Sequence, residues 1–223
     1  MGIDEAGRGP LIGPIVVAGV EGSNDDMKEL GVKDSKLLSP GKRRMLKYRI
    51  ERAADNVLVQ KLHAEDIDRL RKKMTMNALE VRAYASIVMC GKSDVIYVDS
   101  VDVNEERYAN DIKNYILKDG DKREFRIISK HKADSIYPLV SAASIIAKVE
   151  RDRIIMEIER DIGIKIGSGY PSDPNTIKFV ETWVRDHGEL PPHVRKSWAT
   201  ADKILRKYGI ANDYRKNRTV FDF

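Results

Sequence analysis

The chain has 223 residues, of which 42% are hydrophobic, and it carries a formal net charge of +5. A chain of this length can bury a core without disulfide bonds, so we expect one domain, or one domain with a small appendage. The single cysteine, Cys90, excludes a disulfide-rich secreted protein and fits a reducing compartment. Because Cys90 lies in an apolar run, we expect its thiol to be buried.

The pattern of charge and hydropathy argues against two further classes. No basic segment followed by an apolar one opens the chain, as a signal peptide would require. Every apolar stretch is interrupted well before the roughly 18 residues that a membrane span needs. We therefore expect a cytoplasmic protein with no membrane segment, and its positive charge is compatible with a nucleic-acid partner.

The N-terminal half predicts alternating strands and helices. Residues 2–21 are rich in glycine and β-branched residues and break at Gly7-Arg8-Gly9-Pro10, which indicates two strands joined by a turn. Ser39-Pro40 predicts a helix, because serine caps helix N-termini and proline suits the first helical position. Periodicity then predicts a strand at residues 57–62 and a helix around residues 76–87.

The C-terminal half begins with a strand and ends in helices. Residues 94–99 form a nearly continuous apolar run, typical of a strand buried on both faces. A helix follows from Asn104, and residues 125–129 predict a fifth strand. The remaining pattern is helical, at residues 141–162, 173–187 and 197–208. We therefore predict an α/β domain with a mixed sheet and a C-terminal helical portion.

Four acidic side chains stand out by their position. Asp4 and Glu5 end the first strand, Asp99 ends the strand at residues 94–99, and Asp134 precedes a helix. Carboxylates at strand ends can converge at one edge of a sheet, where they repel one another unless a cation neutralises them. Hard oxygen ligands suit Mg²⁺ or Mn²⁺, which can support phosphodiester hydrolysis. Capping or salt bridging is the alternative for each carboxylate, and spacing alone leaves both open.

Two loop segments have both a binding interpretation and a structural one. The glycines of Gly7-Arg8-Gly9 allow close approach to a phosphate or sugar, but the segment also serves as a tight connection between strands. Lys36, which follows Asp34-Ser35, could place a charge on a phosphate or remain a solvated loop lysine.

Four blocks of sequence, in this order, resemble the ribonuclease HII family of archaeal type. They are GIDEAGRGP at residues 2–10, KDSK at 33–36, ADSIYPLVSAASIIAKVERD at 133–152 and GSGYPSDP at 167–174. The resemblance implies a ribonuclease H-like fold, with a five-stranded mixed sheet flanked by helices and a C-terminal helical region. We expect the catalytic domain at residues 1–165, the helical region at 166–210 and a tail at 211–223.

The resemblance also implies a reaction. Asp4, Glu5, Asp99 and Asp134 match the family's catalytic, metal-binding carboxylates. Asp102 rivals Asp99, but Asp99 is preferred because the buried strand ends there. Two Mg²⁺ or Mn²⁺ ions are implied, with Asp4 contacting both, Glu5 and Asp99 completing one site and Asp134 holding the other. The expected activity is hydrolysis of the RNA strand of RNA–DNA hybrids and incision 5′ of single ribonucleotides embedded in duplex DNA. The products carry 3′-hydroxyl and 5′-phosphate ends, and the resemblance suggests a role in ribonucleotide excision repair and DNA replication.

Substrate contacts are implied by the same blocks. Gly7-Arg8-Gly9 resembles the loop that senses the ribose 2′-hydroxyl, and Tyr170 matches a tyrosine that packs against the following deoxyribose. Without the resemblance, a buried core tyrosine would be the favoured interpretation of Tyr170. Lys36 becomes a backbone-phosphate contact. Thr75 and Asn77 could contact the duplex backbone, although Thr75 could equally be a plain helix N-cap.

The last seven residues, 217–223, resemble the clamp-binding peptide of many archaeal relatives. Asn217, Val220 and Phe223 hold its spacing, although the usual glutamine and second terminal aromatic are missing. We interpret the segment as a binding site for a sliding clamp (PCNA), the alternative being a frayed tail with stray aromatics. We expect a monomer.

Two rival functions stay open at this point. A metal-dependent DNA nuclease on the same fold is one, and the glycine loop together with Tyr170 argues against it. A hybrid-binding module without catalysis is the other, and the intact set of carboxylates argues against that.

Overall fold

The computed structural model describes residues 1–32 and 38–216. It contains a five-stranded sheet of β1 (Gly2–Ala6), β2 (Ile15–Glu21), β3 (Asn56–Leu62), β4 (Val95–Asp99) and β5 (Arg126–Lys130), in the order β3-β2-β1-β4-β5. β1 pairs antiparallel with β2 and parallel with β4, and β4 pairs parallel with β5. The predicted five-stranded mixed sheet is therefore confirmed.

Each helix predicted from the sequence is present, with its ends shifted by a few residues. The described helices are α1 (Asn24–Glu29), α2 (Pro40–Ala53), α3 (Ala64–Arg71), α4 (Met76–Cys90), α5 (Glu105–Lys118), α6 (Ala133–Ile136), α7 (Pro138–Ile162), α8 (Pro174–His187), α9 (Ala199–Lys207) and α10 (Asp213–Lys216). α1, α3, α6 and α10 were not predicted, because helices of eight residues or fewer give little apolar periodicity to detect.

The starts of α2 and α8 follow from local chemistry. The hydroxyl of Ser39 accepts the backbone N–H of Lys42 at 3.4 Å, and proline occupies the first helical position. α8 begins in the same way, since the carboxylate of Asp173 accepts the N–H of Asn175 at 2.9 Å. Each cap satisfies a backbone donor that the helix itself leaves unpaired.

The chain divides into two compact units. The first comprises Met1–Ala6, Val16–Lys61 and Asn77–Glu150 and contains almost the whole sheet. The second comprises Gly7–Ile15, Leu62–Met76 and Arg151–Phe223, and so combines the glycine turn with α8 and α9. The domain boundaries expected at residues 165 and 210 stay predictions.

Different helices cover the two faces of β1. A Cβ atom added to Gly2 would lie 2.3 Å from the backbone of Leu139 on α7. A Cβ atom on Gly19, which pairs with Ile3, would lie 2.4 Å from Ile87 on α4. Since successive strand residues face opposite sides, Gly2 and Asp4 face α7, while Ile3 and Glu5 face α4.

The expectation that Cys90 is buried was wrong, because its thiol is exposed. Cys90 is the last residue of α4, whose inner face includes the buried Ile87 and Val88. A helix turns by about 100° per residue, so a position two residues after Val88 faces largely away from it. An apolar run in a helix therefore overstated burial at its end.

The helices in the described part of the chain include none with the length and apolar character needed to cross a membrane. α7, with 25 residues, is long enough to span a bilayer but carries several charged side chains.

A buried carboxylate ends β2. Oε1 of Glu21 accepts the N–H groups of Lys92 and Ser93, each at 2.8 Å, and the hydroxyl of Ser93 at 2.7 Å. Oε2 accepts the side-chain amide of Asn56 at 3.0 Å. Burial alone would raise the pKa of Glu21, but these donors outweigh it and hold the pKa below its usual value. Glu21 thus joins the start of β3 to the loop that precedes β4.

Glu21→Gln should lower the free energy of unfolding by about 1–3 kcal/mol near neutral pH, because the charged acceptor of four hydrogen bonds is lost. The lowered folded pKa means that this stabilisation is present above the unfolded glutamate pKa of about 4.3 and is lost as pH falls through the folded value. Urea unfolding from about pH 7 to about pH 3, followed by circular dichroism, measures both effects.

The exposed Glu189 offers a matched control for that experiment. Glu189→Gln should change the free energy of unfolding by less than about 0.5 kcal/mol. A difference between Glu21→Gln and the unsubstituted chain that stayed constant down to the lowest pH would contradict the assignment of a charge-dependent role.

Candidate active site

Asp4 is buried in β1 on the face covered by α7. Its Oδ1 accepts the backbone N–H of Glu5 at 2.8 Å, and the hydroxyl of Ser144 on α7 also hydrogen-bonds to the carboxylate. Lys148, one turn further along α7, donates to the Ser144 hydroxyl and acts on Asp4 through its charge. α7 therefore fixes the position of the Asp4 carboxylate.

Glu5 faces the other side of β1 and is held by α4. The hydroxyl of Tyr84 donates a hydrogen bond to Oε2 of Glu5. Tyr84 is fully buried, and its ring packs edge-on against Tyr108 at 5.7 Å. Burial, followed by the charge of Glu5, raises the pKa of Tyr84 well above its usual value, so its hydroxyl keeps its proton.

Asp99 and Asp134 come together at the ends of β4 and β5. Asp99 is the last residue of β4, and its Oδ1 accepts the backbone N–H of Ala133 at 2.7 Å. Ala133 opens α6, and the buried Asp134 is the next residue. The Asp99 carboxylate therefore binds the backbone one residue before Asp134 and links the end of β4 to the start of α6.

Asp102, the rival of Asp99, has a different set of partners. It accepts the backbone N–H of Asn104 at 2.8 Å, the guanidinium of Arg107, and the side-chain amide of Asn77 at 3.2 Å. The Asn104 bond and the Arg107 contact hold the pKa of Asp102 below its usual value. Asp102 therefore has a structural role at the start of α5, which leaves Asp99 as the better candidate ligand.

Three of the carboxylates interact electrostatically. Burial raises the pKa of Asp4 well above its usual value, and the negative charges of Glu5 and Asp99 act in the same direction. Ser144 and Lys148 act in the opposite direction but do not cancel the shift. A cation beside Asp4 would relieve this repulsion.

Within residues 1–32 and 38–216, no three acidic, histidine or cysteine side chains are arranged to hold a metal ion. The contacts above give a physical reason, since Glu5 bonds to Tyr84 and Asp99 bonds to the Ala133 backbone. The donor set nevertheless fits a divalent cation, because it consists of hard carboxylate oxygens that repel one another. A carboxylate has two oxygens and about four acceptor sites, so Glu5 and Asp99 can keep these partners while they bind a cation.

The glycine turn belongs to the second unit and is held by backbone hydrogen bonds. The N–H groups of Leu11 and Ile12 both donate to the carbonyl of Gly169, at 2.8 and 3.1 Å. Gly7 has a φ of +95°, and a Cβ atom there would lie 2.5 Å from the carbonyl oxygen of Pro14. Glycine is therefore required at this position by conformation and by space.

The structure brings the glycine turn and Tyr170 together. A Cβ atom on Gly9 would lie 3.8 Å from the ring of Tyr170, which is 39% exposed. The Arg151 guanidinium lies 5.1 Å from the centre of the same ring, and a Cβ atom on Gly7 would lie 2.7 Å from the Arg151 side chain. The exposed backbone of Gly9 and the exposed ring of Tyr170 therefore lie side by side.

The structure does not test the other predicted substrate contacts, which are Lys36, Thr75 and Asn77. Asn77 is bonded to Asp102, and Thr75 is exposed directly before α4. Lys36 lies outside the described residues. The substrate roles of all three stay predictions.

Several site residues were missed because their contacts are distant in sequence. Tyr84 lies 79 residues from Glu5, and Arg195, which binds the glycine turn, lies 188 residues from Gly7. Ser144 and Lys148 had a detectable signal, because a spacing of four places two polar residues on one helix face within an otherwise apolar block.

Comparison with known proteins identifies relatives over nearly the whole chain. The family model for ribonuclease HII matches residues 1–201. Ribonuclease HII of Methanococcoides burtonii is 48% identical over 210 residues, which cover 92% of this chain and 99% of the relative. Ribonuclease HII of Thermococcus kodakarensis is 45% identical over 213 residues, which cover 92% and 89%.

Solved structures confirm the ribonuclease H-like fold. Ribonuclease H2 of Pyrococcus horikoshii has a TM-score of 0.84 at 41% identity, covering 97% of this chain and 98% of that one. RNase HII in the PCNA complex of Archaeoglobus fulgidus has a TM-score of 0.82 at 41% identity, covering 91% and 95%. Bst-RNase HIII in complex with Mn²⁺ scores 0.77 and covers 93% and 69%, but at 22% identity it shows the shared fold alone.

The match over residues 1–201 and the high coverage of both relatives settle the family. The chain belongs to the ribonuclease HII family, and it is a metal-dependent endonucleolytic hydrolase with ribonuclease H activity on RNA–DNA hybrids.

Proposed function

We propose that this ribonuclease H also incises duplex DNA on the 5′ side of single embedded ribonucleotides, by two-metal-ion catalysis that leaves 3′-hydroxyl and 5′-phosphate ends. The observation that carries the proposal is Asp4, a buried carboxylate exposed to the charges of both Glu5 and Asp99. Such repulsion is costly unless the residues serve to hold cations.

Asp4, Glu5, Asp99 and Asp134 would hold the metal ions. Their hard oxygen donors suit Mg²⁺ or Mn²⁺, and a protein of the same fold, Bst-RNase HIII, has been crystallised with Mn²⁺. When bound, such ions help to activate a water molecule and to stabilise the leaving oxygen of a phosphodiester.

The surrounding residues orient the carboxylates. Ser144 hydrogen-bonds to Asp4, and Lys148 supports Ser144 in turn. Tyr84 keeps its proton because its pKa is raised, so it remains a donor to Glu5. Partners of this kind fix ligand orientation and tune affinity for the ion.

Recognition of the ribonucleotide is assigned to the exposed surface formed by Gly9 and Tyr170. Backbone groups can hydrogen-bond to a 2′-hydroxyl, which is the group that distinguishes RNA from DNA at a given sugar. The exposed ring of Tyr170 offers a flat apolar face to the next sugar, and the Arg151 guanidinium packs against the same ring. The short distance between Gly9 and the ring would let both contact neighbouring sugars of one strand.

Asp4→Asn should lower the rate of incision by about 10³-fold, because a ligand worth several kcal/mol of transition-state stabilisation is lost. Affinity for the duplex should remain within about threefold, since few phosphate contacts change. Cleavage is measured on a labelled DNA duplex that contains one ribonucleotide, with and without Mg²⁺ or Mn²⁺. Hybrid and all-DNA duplexes serve as controls. Fluorescence anisotropy measures binding, and a parallel loss of binding would contradict the assignment.

The same assay tests whether Asp99 or Asp102 is the metal ligand, by making the same Asp→Asn substitution at each position. Asp99→Asn should lose activity to a similar extent as Asp4→Asn, whereas Asp102→Asn should retain most of it, because Asp102 is bound to Arg107 and Asn104. The reverse order of activities would transfer the ligand role to Asp102.

Tyr170→Ala should lower kcat/KM on the single-ribonucleotide duplex by about 10- to 100-fold, the usual effect of losing one stacking contact. Tyr170→Phe should retain most activity, because the ring face is kept. Tyr48→Ala is the matched control, since Tyr48 is also exposed and also lies under an arginine, Arg52. Equal kinetics for Tyr170→Ala and Tyr48→Ala would remove Tyr170 from the site.

We also propose that residues 217–223, which lie outside the described residues, bind a sliding clamp. The RNase HII of Archaeoglobus fulgidus, 41% identical to this chain, was solved in complex with PCNA. Asn217, Val220 and Phe223 supply an amide, an aliphatic and an aromatic side chain at spacings of three.

Removal of residues 217–223 should weaken binding to an archaeal PCNA by at least about tenfold, because the side chains that fill its pocket are lost. Titration calorimetry measures the affinity, and the incision rate without clamp should be unchanged. Combined Val220→Ala and Phe223→Ala should reproduce the loss, whereas Asp222→Ala should not. Unchanged affinity after truncation would rule the site out.

A further inference from the structure

Arg195 is completely buried in the second unit, and its guanidinium donates hydrogen bonds to three backbone oxygens around the glycine turn. Nη2 donates to the carbonyl of Gly7 at 2.6 Å, and Nη1 donates to that of Arg8 at 3.0 Å. Nε donates to the carbonyl of Gly13 at 3.0 Å. One side chain therefore holds both ends of the turn.

Trp198 extends this arrangement by one residue. Its indole Nε1 donates to the carbonyl of Gly9 at 3.2 Å. The guanidinium of Arg195 lies 4.7 Å from the centre of the Trp198 ring, so the two side chains also support each other. Three consecutive carbonyl groups, those of Gly7, Arg8 and Gly9, are held by these two side chains.

Holding the carbonyls fixes the direction of the next N–H groups. The described residues contain no cis peptide bonds, and in a trans peptide the carbonyl and the following N–H point in opposite directions. The N–H groups of Arg8 and Gly9 are therefore directed away from Arg195. Pro10 follows and has no N–H, so the donor surface of the turn ends at Gly9, which is exposed.

Burial of the charged Arg195 guanidinium opposes folding. Burial, together with the nearby charge of Arg151, lowers the pKa of Arg195 to about 9. Asp68 compensates in part, although its carboxylate is already bonded to the N–H groups of Lys196 and Ser197, at 2.8 and 2.9 Å. An apolar residue here would leave the carbonyls of Gly7, Arg8 and Gly13 without this donor, so the conformation of the turn depends on the buried arginine.

Arg151 holds the loop that contains Ser168, Gly169 and Tyr170 in a comparable way. The residue is 6% exposed, and Nη2 donates to the carbonyl of Ser168 at 3.0 Å. A Cβ atom on Gly169 would lie 3.2 Å from the same nitrogen, and the guanidinium packs on the ring of Tyr170. Two buried arginines thus set the backbone on both sides of the surface formed by Gly9 and Tyr170.

We infer that Arg195, supported by the packing of Trp198 against its guanidinium, is a positioning residue for ribonucleotide recognition, because it holds the Arg8 carbonyl and so directs the Gly9 N–H toward a ribose 2′-oxygen. The inference rests on the proposed function. A deoxyribose lacks that oxygen and cannot accept a hydrogen bond from the Gly9 N–H, which disfavours DNA at this position. Neither side chain touches substrate in this scheme.

The test compares the affinity for a duplex containing one ribonucleotide with that for the same duplex made entirely of DNA, in EDTA so that no cleavage occurs. Trp198→Ala removes the ring on which the Arg195 guanidinium packs, and it should reduce the ratio of affinities by about fivefold. Arg195→Lys should reduce the ratio by about tenfold or more, since three bonds are disturbed. Affinity for the all-DNA duplex should not change, and kcat/KM for incision should fall by the same factors.

Glu21→Gln is the control for general destabilisation, because Glu21 belongs to the first unit. Its Tm should fall while its ratio of affinities stays at the wild-type value. If Arg195→Lys does not fold, Trp198→Ala decides the question alone. A wild-type chain that does not incise at single ribonucleotides would refute the proposed function. A wild-type chain that incises, with an unchanged ratio in the folded variants of Arg195 and Trp198, would overturn the positioning role alone.

Discussion

β1 lies between β2 and β4, so both of its edges are hydrogen-bonded, while α7 and α4 cover its two faces. This central position constrains the site, because consecutive residues of a strand must face opposite sides. Asp4 consequently meets α7 and Glu5 meets α4, and each carboxylate is held by a different helix. The strand can carry two adjacent acidic residues only because both helices supply polar partners within otherwise apolar surfaces.

The acidic cluster departs from the rule that buried charges are paired. Asp4 interacts with two other carboxylates, and the donors on α7 do not offset the resulting rise in its pKa. Stability would favour an apolar residue or an amide at this position, so the cluster is better explained by the divalent ions on which the family depends. The contacts of Glu5 with Tyr84 and of Asp99 with the Ala133 backbone orient two of these carboxylates.

Apolar periodicity and capping side chains predicted those elements that depend on interactions between residues close in sequence. The five strands, the long helices and the cap at Ser39 follow from spacing and from side chains next to the backbone they bind. The preference for Asp99 over Asp102 came from the end of the buried strand, whereas their hydrogen bonds to Ala133 and Arg107 could not be predicted from the sequence. Burial of Cys90 was predicted wrongly because composition does not report where a helix emerges from the core. The domain boundaries and the tail stay predictions.

The carboxylates and the ribose-sensing segment place different demands on the chain. The acidic residues all lie in the first unit, where side chains do the chemistry, whereas the glycine turn lies in the second, where the backbone itself is the proposed sensor. A backbone sensor cannot be tuned by changing its own side chains, and at Gly7 even a methyl group would collide with Pro14 and Arg151. The backbone conformation of the turn must therefore be determined by residues that bind its carbonyl groups and do not contact the substrate. Arg195 and Trp198 fulfil that requirement, because they reach the turn from a segment more than 180 residues away along the chain. Discrimination between ribose and deoxyribose is then a property of the packing behind the turn as much as of the turn itself.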